Sequence, residues 1–422
     1  MTSAPTACAL PGLADPTELR LANGAVVVQL PLADSPLVCL DFWSRAGSVF
    51  EAAAENGLAH FLEHMVFKGS QRLGSGEFDL RIEAMGGSSN AATGFDDVHY
   101  HVLVPPESAA EALDLLMDLV LHPRLEPQAF EMERQVVLEE LAQSEDQPDD
   151  IALQELLRLG CPNHAYGLPI LGRRDLLLAQ TPEAMASFHH RLYGANRCVL
   201  AVCGGLDPNQ LRDAIEASAL ANLAPISEPD TARQLEVRPG AHRIAVPRLE
   251  SARLLMLWGL PPARDLHGVM GADLLTTVLA EGRRSRLVER LREQLRIVES
   301  IDLDLHVMES GSFALLEAIC EPNELRGVHQ AIAEVWAAVQ QQGLADPEWL
   351  RAQRLVANGY RFGLEAAGGL AGLIGNNRLW GRQQGLAQPL AEIERWSSQA
   401  LIHQTLPLLD PSRACVLEAV PA

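Results

Sequence analysis

The stretch ENGLAHFLEHMVFKG, residues 55 to 69, organises the reading of the whole chain. Its apolar residues recur at helical spacing, Asn56 and Gly57 precede them and Gly69 follows, so it predicts a helix. Inside it stands His60-Phe61-Leu62-Glu63-His64. Side chains four apart on a helix share a face, so both imidazoles point at one place while Glu63 lies on the adjoining flank. Neutral imidazoles bind Zn²⁺ well, two protein ligands rarely suffice, and a carboxylate as the third leaves a fourth position for water. Glu63 is then placed to take that water's proton.

The third ligand is sought on a helix facing the first. PQAFEMERQVVLEELAQSED (127–146) has apolar positions at helical spacing and supplies Glu131, Glu133, Glu139 and Glu140. Glu133 and Glu140 stand two turns apart on one face, so that stripe offers one carboxylate to a metal and another to the groups around it. Spacing does not choose among the four.

The text on either side of the motif helix is β-rich. ELRLANGAVVVQLPL (18–32) turns at Asn23-Gly24, and SPLVCLDFWSRAGS (35–48) keeps a two-residue period. GSSNAATGFDDVHYHVLVPP (87–106) sets Val98, Tyr100, Val102 and Val104 on one side, and RCVLAVCGGLDP (197–208) fits a buried strand. Residues 221–243 lose all periodicity and mark a linker. Beyond it the plan repeats: strand RLLMLWGLPP (253–262), helix GADLLTTVLAEGRRSRLVERLREQ (271–294), strands SIDLDLHVM (300–308) and GSFALLEAIC (311–320), then helix text from 324 to 343. EPQAFEMERQVVLEELAQ (126–143) and DPEWLRAQRLVANGYRFGLEA (346–366) share a layout. The prediction is an α+β protein of two similar domains, 1–228 and 229–422, related by internal duplication, each a mixed or antiparallel sheet packed with helices around a cleft.

Composition narrows the function classes. The chain has 422 residues, 48% hydrophobic and 21% charged, and 33 basic against 55 acidic residues leave a net charge of −22. Lys68 is its one lysine. Such a surface repels phosphate backbones, which argues against nucleic acid and anionic membranes, while neutral or basic polypeptide is attracted. Seven scattered cysteines (Cys8, Cys39, Cys161, Cys198, Cys203, Cys320, Cys415) without a CxxC pair read as reduced core thiols. With no basic apolar leader and no run long enough for a membrane span, the expectation is a cytoplasmic protein. His99, His101, His164, His189 and His190 read as structural, EGRRSRLVERLRE (281–293) as a solvated or ion-paired helix, and Gly368, Gly369 and Gly372 as a bend in helical text.

HFLEHMVFKGS, followed about seventy residues on by ERQVVLEE, resembles the inverzincins of peptidase family M16, the group of mitochondrial processing peptidase, insulin-degrading enzyme and pitrilysin. GSSNAATGFDDVHYH, NHAYGLPILGRRD (163–175) and YGANRCVLAVCGGLD (193–207) fall in the family's order, and the length resembles one processing-peptidase subunit or a small bacterial member. The resemblance implies that His60, His64 and Glu140 bind zinc, that Glu63 is the general base of peptide hydrolysis, and that Glu133 is a second acid kept near the metal. It also implies that Asn90, Ala91, Ala92 and Thr93 form an edge strand to which substrate adds by backbone hydrogen bonds. Active members carry an Arg and a Tyr seven residues apart in the other half. In LREQLRIVESI (291–301) Arg292 takes the first place, but Glu299 stands at the second. An ionised carboxylate donates no hydrogen bond and disfavours an oxyanion. The expectation is therefore a zinc endopeptidase subunit that works with a sister subunit supplying the Arg-Tyr pair, or as a homodimer. The alternative is a noncatalytic assembly subunit of the same family, against which the intact His60, Glu63, His64 and Glu140 argue.

Overall fold

A computed structural model describes residue 10, residues 13 to 227 and residues 233 to 422; Cys8 and the boundary expected between 228 and 229 lie outside them. The first sheet is built from β1 (Thr17–Arg20), β2 (Val26–Pro31), β3 (Val38–Ser44), β4 (Ser88–Thr93), β5 (Val98–Val104) and β6 (Cys198–Gly204), in the order β1-β2-β6-β3-β5-β4. The second contains β7 (Gly240–Val246), β8 (Ala252–Leu260), β9 (Ser300–His306), β10 (Ser312–Cys320) and β11 (Cys415–Pro421), in the order β7-β11-β8-β10-β9. Omit β1 and the wiring is the same: β2 runs parallel to β6 as β7 does to β11, and the remaining pairs are antiparallel. The fold is α+β, with two similar halves, as the repeated text implied. The hairpin turn falls where Asn23-Gly24 placed it, with Gly24 at φ +91.

Helices α1 (Leu58–Val66), α2 (Glu77–Ala84), α3 (Ala109–Leu121), α4 (Pro127–Asp146), α5 (Pro148–Gly160), α6 (Arg174–Ala179), α7 (Pro182–Leu192) and α8 (Pro208–Ala217) belong to the first half. The second half carries α9 (Leu266–Ala280), α10 (Leu325–Gln342), α11 (Asp346–Gly363), α12 (Ala367–Leu379), α13 (Gln388–Arg395) and α14 (Ser398–Gln404). One face of the first sheet, with Leu40, Phe42, Tyr100 and Val102, buries α1 and α3 through Phe61, Leu62, Leu116 and Val120. Its other face carries Val28, Leu30, Trp43 and Ala201, and these pack against Leu370 and Ile374 of α12, a helix from the second half. In return α5 lays Ala152, Leu156 and Leu157 on Leu255, Leu257 and Leu417 of the second sheet. Each half thus covers the back of the other's sheet. Burying a leucine or isoleucine contributes about 1.5–3 kcal/mol, so this exchange ties the halves into one body. Polar contacts reinforce it: Tyr166, which donates to Asp96 at 2.6 Å, accepts from the backbone N–H of Ser310 at 3.2 Å, and the backbone N–H of Glu309 donates to the other Asp96 oxygen at 2.9 Å.

Two expectations are corrected. The helix read over 271–294 divides, because Gly282 at φ +76 interrupts it and the chain resumes as a π-helical segment, Val288–Leu295. Gly368, Gly369 and Gly372 do not mark a bend; they lie inside α12, in the same small-residue run as Gly375, whose added Cβ would meet Trp43 Nε1 at 2.5 Å. Glycine there lets the helix backbone approach the sheet. The six described cysteines are free and buried, consistent with core thiols. Among the described residues, no helix is long and apolar enough to cross a membrane.

Candidate metal centre

Helix α1 has an unusual start. Gly57 holds φ +91, where a side chain is strained, and a Cβ there would lie 2.6 Å from the Gly172 Cα. The Glu51 carboxylate takes the place of an N-cap: it accepts from the N–H of Gly57 at 3.1 Å and of Ala59 at 2.8 Å. Burial pushes this carboxyl up to about 7. From that start α1 turns Leu58, Phe61, Leu62 and Met65 into the core, with Phe61 against Phe130 of α4 at 4.5 Å. His60 and His64 are left facing α4.

The two histidine rings meet edge-on, centroids 4.7 Å apart, and Glu140 reaches both. Its Oε2 lies 3.7 Å from His60 Nε2 and 3.4 Å from His64 Nε2. One donor atom from each of the three residues falls within 4.8 Å of the others. Two imidazole nitrogens and a carboxylate oxygen converging from two helices fit a zinc ion that keeps one position open. Burial, with the neighbouring His64, pulls His60 down to about 4, so its ring is a neutral ligand near pH 7.

The remaining glutamates of α4 separate clearly. Glu133, nearly buried, accepts from His64 Nδ1 at 2.9 Å and pairs with Lys68 Nζ at 2.7 Å. Burial raises it, but those two hydrogen bonds outweigh burial and hold it below its ordinary range. Fixing Nδ1 turns Nε2 of His64 toward Glu140. Glu131 is occupied by Arg134 at 2.7 Å, and Glu139 is exposed. Glu133→Gln is expected to weaken zinc binding 10- to 100-fold, measured by competition with a chelator, without unfolding the chain.

Glu63 is held from the other side. Thr93 Oγ1 donates to its Oε2 at 2.5 Å, and burial, only partly opposed by that bond, shifts Glu63 upward. Thr93 closes β4, the edge of the first sheet, where Asn90, Ala91 and Ala92 pair with His101, Tyr100 and His99 of β5. Ala91 packs toward the core, while Asn90 and Ala92 are exposed. Arg292 lies in the π-helical segment and pairs with its neighbour Glu293 at 2.9 Å; Glu299 accepts from Ser251 at 2.8 Å. Among the described residues, neither is bonded to the metal-site side chains. His99 and His101 face away from α1, as strand alternation required. Sequence reasoning missed Lys68 and Glu51. Lys68, four residues past His64, was within its reach; Glu51 lies in a loop and left no periodic signal.

A cleft of about 950 Å³ is lined by Phe95, Leu141, Gly172 and Gln154 of the first half and by Ile244 of β7; His60, Glu63, His64 and Glu140 do not line it. It is bounded by both halves of the chain.

Residues 32–174 match the family described as Insulinase (Peptidase family M16), and residues 180–356 match Peptidase M16 inactive domain. An uncharacterized zinc protease of Mycobacterium leprae is 29% identical over 370 residues, 86% of this chain and 83% of that protein. One from Streptomyces coelicolor is 28% identical, covering 90% of this chain and 84% of its own length. Among solved structures, a protease from Helicobacter pylori superposes with a TM-score of 0.90 at 21% identity, covering 97% of this chain and all (100%) of that one. An M16 inactive domain from Pseudomonas fluorescens gives 0.88 at 18% identity, over 97% and 99% of the two chains. These structures share the fold.

Proposed function

Because this chain belongs to peptidase family M16, whose matched relatives are named zinc proteases, we propose that it is the zinc-bearing subunit of an endopeptidase that hydrolyses peptides or unfolded segments. The observation that carries this reading is the convergence of His60, His64 and Glu140 beside a Glu63 that Thr93 holds in place. A zinc ion bound there supplies Lewis acidity to the scissile carbonyl and lowers the pKa of water. Glu63 takes the proton of the attacking water and passes it to the leaving amine. Thr93 keeps its carboxylate aimed while leaving one oxygen free. Glu133 and Lys68 hold the His64 ring. A substrate strand lies along Asn90, Ala91, Ala92 and Thr93, whose small side chains permit close approach.

The half that resembles the Arg-Tyr element offers Arg292 but has Glu299 in place of the phenol, so a sister subunit supplies the donor. The test is direct. Purified chain is expected to carry one zinc per catalytic centre, to lose it in His64→Ala, and to cleave an unfolded peptide faster when a sister subunit with the tyrosine is added. A folded chain without zinc at this centre points to the assembly role instead. Full activity from the isolated chain, unchanged by any partner, removes the heterodimer.

A further inference from the structure

The second cluster of metal-binding side chains lies on the opposite face of the first sheet. In β5, Val98, Tyr100, Val102 and Val104 point into the core, so His99 and His101 share the other face. A His-x-His pair on a strand sets two imidazoles side by side on one surface, and a third donor must come from a neighbouring strand. Asp41 of β3 supplies it: its Cα is the register partner of His101. One donor atom from each of Asp41, His99 and His101 lies within 4.8 Å of the others, as close a grouping as the catalytic trio.

Three observations give this cluster the character of a built site. Asp41 is 2% exposed, and a buried carboxylate is costly without a cationic or hydrogen-bonding partner. It is held to His99 Nδ1 at 3.0 Å. The His99 ring is stacked on Trp43 at 4.1 Å and faces the His101 ring at 5.6 Å, so both orientations are fixed before any ion arrives. His101 is half-buried and has no hydrogen-bond partner among the described residues, so its ring nitrogens are open to a ligand.

We propose that Asp41, His99 and His101 bind a second divalent transition-metal ion, of the class that prefers mixed imidazole and carboxylate donors, such as Zn²⁺ or Co²⁺. Two imidazoles exclude Mg²⁺ and Ca²⁺, which take oxygen ligands. The ion clamps β3 to β5 immediately behind the β4 edge, whose Asn90 and Ala92 are register partners of His101 and His99.

Metal-free protein is titrated with Co²⁺, followed by its visible absorption, and with Zn²⁺ in equilibrium dialysis. Two equivalents are expected for the wild-type chain. The His60→Ala/His64→Ala double variant retains one, and its melting temperature still rises with Zn²⁺. His101→Ala and, separately, Asp41→Asn also retain one, the catalytic equivalent, which keeps the result interpretable if either variant folds poorly. Two outcomes overturn the proposal: a single equivalent that disappears with His60 and His64, or two equivalents unaffected by His101→Ala. A single equivalent that survives loss of His60 and His64 but not of His101 upholds this site and defeats the catalytic one.

Discussion

Glu63→Gln is expected to lower kcat/KM for peptide hydrolysis by at least about 100-fold, the usual contribution of a positioned general base, while zinc content and folding stay at wild-type levels. Glutamine keeps the shape of the side chain and can still accept from Thr93, but it takes no proton. The carboxyl of Glu63 is raised by burial, with the Thr93 hydrogen bond opposing. A base works only when ionised, so activity falls as the pH drops through that raised pKa. Removing the opposing bond should therefore move the acid limb of the pH–rate profile to higher pH in Thr93→Val, with little change on the alkaline side. Metal analysis and a profile of kcat/KM against pH check both expectations. A Glu63→Gln enzyme of near wild-type rate, or a Thr93→Val profile displaced toward acid, would remove Glu63 from its role.

Gly57→Ala is expected to damage both the fold and the metal centre. The added methyl needs φ +91, which costs an L-residue about 1–2 kcal/mol, and it would also sit 2.6 Å from the Gly172 Cα and 2.9 Å from the Leu171 oxygen. Overpacking against backbone costs roughly a further 1–3 kcal/mol. Because His60 lies three residues on, any shift that relieves the clash also displaces a metal-site ring. The expected result is a lower urea midpoint together with weaker zinc binding. Gly76→Ala provides the control: φ there is +74 but nothing stands within 4 Å of the added Cβ, so only the conformational cost applies and zinc binding is untouched. Equal losses in the two variants would show that the contact with Gly172 contributes nothing.

Much of the candidate centre was legible because helices are periodic. His60 and His64 stand four apart and Glu133 and Glu140 seven apart, so one face of each helix follows from arithmetic. The choice of Glu140 over Glu139 or Glu131 did not follow, since it depends on how α4 is rotated against α1, and that is set by Phe130, Val137 and Leu141 entering the core. Thr93 was legible as part of an edge strand but not as the partner of Glu63, because the two are thirty residues apart and meet only through the packing of α1 on β4. The glycines of α12 were misread for a related reason: glycine weakens an isolated helix, and the text holds no sign that another half's sheet would press against it.

Local chemistry and periodicity are written along the chain. The helix with its paired imidazoles, the alternating strands and the doubled plan can each be read from neighbours a few residues apart. Contacts between distant segments are not. That α5 and α12 change places behind the two sheets, that Glu51 caps α1, and that Asp41 stands opposite His101 all depend on register and burial, which are settled when the whole core closes at once.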